Sequence, residues 1–107
     1  MTEGWTRVCA TSELLPGEQA VAWDGDTPIL VVNLDGDLHA IEDRCTHEDY
    51  ELSASHVDAS DGSIECMLHA ARFDVRTGRA LCGPAYQPVR RFPVLIVDGA
   101  IYTRDDR

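Results

Sequence analysis

Apolar residues along this chain fall into short runs, and each run is cut off by a turn signal. Thr27–Leu34 and Leu38–Ile41 flank Asp35-Gly36, while Val94–Val97 and Ala100–Thr103 flank Asp98-Gly99. Asp-Gly also occurs at Asp24-Gly25 and Asp61-Gly62. This dipeptide accepts the positive φ that tight hairpin turns demand. The flanking runs are rich in β-branched and large apolar residues, which suit a pleated, half-buried surface. Gln19–Trp23 and Trp5–Ala10 predict two more strands, joined by a loop containing Pro16-Gly17, and Ala71–Val75 predicts another before a turn at Thr77-Gly78. No window sustains a helical stripe beyond two turns, so Glu13–Leu15 is at most a single helical turn. The pattern predicts an all-β fold, an antiparallel β-sandwich or small barrel of short strands. The long stretch from Glu48 to Ser63 carries no periodic signal, and connections of that length usually serve function.

At 107 residues the chain is expected to form one domain spanning 1–107. Runs such as Ile29–Val32 and Val94–Val97 are far too short to cross a bilayer. Met1-Thr2-Glu3-Gly4 lacks the basic and apolar regions of a signal peptide, which points to the cytoplasm. A reducing compartment argues against disulfides among the four cysteines. Cys9 and Cys82 lie outside any motif and are expected to be small apolar residues, buried or half-buried. Nineteen acids against nine bases, all arginine, give a net charge of −10. That balance repels nucleic acid and anionic membranes and favours a partner with a basic patch.

The chemistry is concentrated in two boxes, Cys45-Thr46-His47 and, after eighteen intervening residues, Cys66-Met67-Leu68-His69. Two thiolates and two imidazoles suit either zinc or an iron–sulfur cluster of the mixed Cys/His type. Zinc boxes commonly pair like ligands, whereas each box here is mixed. His39 and His56 lie outside the boxes and read as strand or loop residues. Glu48, Asp49 and Glu51 crowd the first box, either as an acidic docking rim or as solvated charges. Trp5 and Trp23 are expected to be core or half-buried packing residues.

The two boxes resemble the Rieske [2Fe-2S] signature, and the likeness extends over roughly residues 3–104. Gly36–Arg44 resembles the hairpin entering the first box, Arg72–Arg79 the strand and turn after the second, and Cys82-Gly83-Pro84-Ala85 the proline-containing loop that covers the cluster. Together with Arg91-Phe92-Pro93-Val94 and the terminal hairpin, these segments are similar to small Rieske ferredoxins of bacterial aromatic-ring dioxygenase systems. Met67 stands where the family often has proline, Ala70 and Glu48 where it often has glycine.

The resemblance implies one [2Fe-2S] cluster, with Cys45 and Cys66 on one iron and His47 and His69 on the other, in a subdomain of about residues 43–84. It implies a monomeric electron carrier with no substrate chemistry of its own. Its donor would be a flavin-dependent ferredoxin reductase and its acceptor a terminal Rieske oxygenase, with neither nucleic acid nor membrane as partner. The small Rieske-like subunit of a nitrite reductase, and a zinc-stabilised interaction module, are the alternatives. High-potential members carry an extra cysteine pair and hydroxyl donors, whose places here hold Tyr50, Leu68, Ala71 and Phe73. A potential near the lower end of the Rieske range, roughly −150 mV, is therefore expected.

Overall fold

The computed structural model describes residues 2–46, 50–67, 71–82 and 87–107. Ten short strands follow in chain order: β1 (Thr6–Ala10), β2 (Gln19–Asp24), β3 (Thr27–Leu34), β4 (Asp37–Glu42), β5 (Ser63–Glu65), β6 (Arg72–Asp74), β7 (Ala80–Cys82), β8 (Arg91–Phe92), β9 (Val94–Val97) and β10 (Ala100–Thr103). They form three antiparallel sheets, ordered β1-β10-β9, β2-β3-β4-β8 and β5-β6-β7. The all-β antiparallel expectation is met. Helical structure among the described residues is limited to two single 3₁₀ turns, Thr11–Glu13 and Leu52–Ala54.

Two hairpins close as the Asp-Gly signals require. Leu34 pairs with Asp37 across Asp35 (φ 54°) and Gly36 (φ 96°), and Val97 pairs with Ala100 across Asp98 (φ 51°) and Gly99 (φ 74°). Positive φ at both loop residues matches the right-handed twist of the flanking strands.

β3 is the wall around which the rest is built. Seven of its eight residues are buried, and side chains alternate between the faces of a strand. Ile29 and Val31 feed one apolar cluster with Leu14, Ala40, Phe92 and Ile101. Leu30, Val32 and Leu34 feed the other, with Ile41, Leu52, Ile64, Phe73, Val75 and both Cys45 and Cys66. Both ligand-box cysteines thus fall on one side of a single strand.

The strands β5, β7 and β8 were not expected from the pattern. At two or three residues each, they are too short to display an alternation. The connection after the first box is also more ordered than its composition suggests: Leu52 is fully buried, and Asp58 bridges to Ser63, the first residue of β5.

Gly78 holds the turn after β6 against the segment leading to β8. Its N–H donates to the Asp74 carbonyl (2.7 Å), and its carbonyl accepts from the Val89 N–H (2.7 Å). At φ +79°, an added Cβ would stand 2.3 Å from the Val89 carbonyl oxygen. Gly78→Ala should therefore lower unfolding free energy by about 3 kcal/mol, from left-handed strain plus the clash. Gly25→Ala, at φ +59° with open space around it, should cost about 1 kcal/mol. Urea denaturation of the two variants checks the difference, and equal midpoints would contradict the steric account.

Candidate metal centre

The two boxes sit on two loops closed in the same way. The Cys45 N–H donates to the Tyr50 carbonyl (2.8 Å), and the Cys66 N–H donates to the Ala71 carbonyl (2.6 Å). In each case the cysteine amide reaches the carbonyl five residues ahead, so the box lies inside a closed loop. The second loop is the tip of the β5–β6 hairpin, where Glu65 and Arg72 are the last pair before Cys66 and Ala71. The first loop follows β4 with no such ladder to close it. Instead Asp43, 3 % exposed, accepts from the Ser53 backbone N–H at Oδ1 (2.6 Å) and from the Ser53 hydroxyl at Oδ2 (2.6 Å). The Asp43 N–H in turn donates to the Pro28 carbonyl in β3 (2.9 Å).

These closures accompany the placing of both thiols in one buried apolar cluster. Cys45 and Cys66 are 2 % and 0 % exposed, in an apolar cluster with Leu52, Ile64, Ala71 and Phe73. A third tie joins the first box to the segment after the proline-containing stretch, where the Thr46 hydroxyl donates to the Gln87 carbonyl (2.8 Å). His47 and His69 lie outside the described residues, as do Glu48, Asp49, Leu68, Ala70 and Gly83-Pro84-Ala85. Among the described residues no three His, Cys, Asp or Glu side chains gather as a metal site. Of the expected donor set the structure describes the two cysteines, which are buried on two loops in one apolar cluster. That environment fits a mixed Cys/His iron–sulfur centre, whose sulfur-bound side is kept from water by a hydrophobic shell.

Two expectations are corrected. Trp23 is 59 % exposed rather than core or half-buried. On β2 it shares with exposed Val21 the face opposite buried Ala22, so its indole turns outward. With Val21, Pro28, Arg44, Tyr50 and Glu51 it lines a surface groove of about 440 Å³ beside the first loop. Cys82 is exposed rather than buried, because β7 ends its own small sheet. Cys9 is half-buried as expected, and burial, followed by the nearby Glu13 charge, raises its thiol pKa. Trp5 is half-buried beneath the Arg104 guanidinium, 4.7 Å from the ring centre.

The remaining charged and histidine residues behave as strand and loop groups. His39 is half-buried on β4 opposite Val32, and burial, reinforced by Arg91, lowers its pKa. His56 and Glu51 are exposed. Sequence reasoning missed the pairing of Asp43 with Ser53. An acid two residues before the first cysteine was the available hint, but nothing local marks Ser53 as its partner.

Comparison with known proteins shows the family. The profile of the Rieske [2Fe-2S] domain matches residues 4–93. The ferredoxin component of biphenyl 2,3-dioxygenase from Rhodococcus jostii is 43% identical over 89 residues, covering 83% of this chain and 81% of the relative. The ferredoxin of carbazole 1,9a-dioxygenase from Nocardioides aromaticivorans superposes with a TM-score of 0.87 at 31% identity, covering 94% of this chain and 96% of that one. A ferredoxin-sized chain in a complex of reduced oxygenase and oxidized ferredoxin in carbazole 1,9a-dioxygenase superposes at 0.86 with 32% identity, covering 94% and 93%. Zinc is thereby set aside as the metal. This chain belongs to the Rieske [2Fe-2S] family and is an electron-carrying ferredoxin with one such cluster, its relatives being ferredoxin components of aromatic dioxygenases.

Proposed function

We propose that Cys45 and Cys66 hold one iron of the cluster and His47 and His69 the other, within a cluster-binding subdomain of about residues 43–84. The observation that carries this reading is the convergence of Cys45 and Cys66, from two similarly closed loops, in one apolar pocket. When bound, the cluster would accept and release one electron at a time. The chain's own residues supply the ligands, exclude water around the sulfurs and present the site to partners. Two neutral imidazoles in place of two thiolates remove two negative charges from the centre, which makes reduction easier than in an all-cysteine cluster.

The electron donor in this proposal is a flavin-dependent ferredoxin reductase, and the acceptor a terminal ring-hydroxylating oxygenase. The names of the relatives, and the solved complex of a similar ferredoxin with its oxygenase, support the acceptor. The protein would act as a monomer in the cytoplasm. Among the described residues no helix is long and apolar enough to cross a membrane.

The potential should lie near roughly −150 mV, at the lower end of the Rieske range. The positions at issue support this: Ala71 and Phe73 are fully buried and bring no hydroxyl to the sulfur side. A redox titration of the purified protein checks the value, and a midpoint above about +100 mV would contradict it. In the same preparation, Cys45→Ser and Cys66→Ser should abolish the visible iron–sulfur absorption, while His39→Ala and His56→Ala should leave it intact. Loss of absorption in the His39 or His56 variants, with His47→Ala retaining it, would reassign the ligands.

Net charge also has a kinetic consequence. With −10 overall, association with a basic docking face is steered by long-range attraction, which salt screens. The rate of reduction by the reductase should fall as ionic strength rises, and a rate indifferent to salt would contradict steering.

A further inference from the structure

We propose that Asp43 and Ser53 are positioning residues that clasp the first ligand loop and thereby set where Cys45 stands relative to Cys66. The proposal rests on the ligand assignment above. The two loops face one mechanical problem with unequal means. The second is closed by a β-ladder running up to Glu65 and Arg72, directly beside Cys66 and Ala71. The first leaves β4 and must return without a partner strand, and at its neck a single side chain grips both donors of one residue. Asp43 Oδ1 takes the Ser53 N–H and Oδ2 takes the Ser53 hydroxyl, each at 2.6 Å.

The clasp is connected on both sides to what the thiol needs. Through its own N–H, Asp43 is tied to the Pro28 carbonyl of β3, the strand that walls the pocket. Ser53 follows Leu52, which is fully buried in the same cluster as both thiols. Releasing the clasp would therefore untie the outgoing arm of the first loop from its returning arm beside buried Leu52. The backbone bond to Pro28, the Thr46–Gln87 bond and the Gln19 bonds to Ser55 and Val57 would stay in place.

A carboxylate this deeply buried is costly unless its oxygens are satisfied. Here both carboxylate oxygens are committed to one residue across the neck of the loop, at the floor of the surface groove that Asp43 and Ser53 help to line. Charge and closure can be separated by chemistry. Asparagine still accepts the Ser53 N–H through its carbonyl, and its amide can donate to the Ser53 oxygen, because a hydroxyl both donates and accepts.

The test uses the cluster-loaded protein and two readouts: loss of visible absorption in excess iron chelator, and the midpoint potential. Asp43→Ala and Ser53→Ala should release iron about tenfold faster than the parent, the scale on which outer ligand supports act, with altered g values in the reduced EPR spectrum. Asp43→Asn and Ser53→Thr should release iron at the parent rate. Asp43→Asn should also shift the potential upward, because a negative charge near the first loop is gone. Asn33→Ala is the control for general destabilisation, since Asn33 donates to the Leu14 carbonyl and accepts from the Gly36 N–H away from both ligand loops. It should lower the melting temperature and leave iron release and g values unchanged. The proposal is overturned if Asp43→Ala keeps the parent rate and g values, or if Asn33→Ala reproduces its effects. A parent protein that binds no iron would instead overturn the ligand assignment itself.

Discussion

Placement of two thiols from separate loops in one buried apolar cluster is the constraint on which this molecule depends. Cys45 and Cys66 are far apart in sequence, yet both lie almost fully buried in a single apolar cluster. An unrestrained loop would lose conformational entropy on taking up a metal, and that loss would weaken binding. Here the entropy is removed during folding. Each cysteine N–H closes its own loop onto the carbonyl five residues ahead. One loop is then held by a hairpin and the other by the Asp43–Ser53 clasp. β3 supplies the common reference, with alternate residues facing the thiol pocket and the second core behind it.

The same arrangement explains how a small chain can tune electron transfer. An apolar surround disfavours added negative charge, whereas neutral histidine ligands lessen the charge present before reduction. In the proposed account, fully buried Ala71 and Phe73 bring no hydroxyl to the sulfurs and so would do little to raise the potential. The net charge of −10 would act on a different quantity, the rate of encounter with a basic partner.

Legibility in the sequence followed the range of the interactions concerned. The Asp35-Gly36 and Asp98-Gly99 hairpins were readable because positive φ is a demand on the residues themselves. The family was readable because the mixed Cys/His spacing of the two boxes is a local chemical pattern, and the Rieske profile matches residues 4–93. β5, β7 and β8 were not, since two or three residues cannot show a period. Trp23 and Cys82 were misjudged for a related reason: apolar character does not reveal which positions of a strand the core leaves uncovered. The Asp43–Ser53 clasp was the least legible feature. It spans ten residues, and nothing local in the sequence marks the return of the loop, where Leu52 is buried and Gln19 bonds Ser55 and Val57.

The most direct test of the central claim is low-temperature EPR of the purified protein before and after dithionite, alongside iron and acid-labile sulfide content. The account predicts equal iron and sulfide, two of each per chain, no signal as isolated in the oxidised state, and a rhombic signal on reduction with average g below the free-electron value. Nitrogen couplings from two histidines should appear in the pulsed spectrum. A reduced signal without nitrogen coupling, or stoichiometric zinc with no EPR signal, would contradict it.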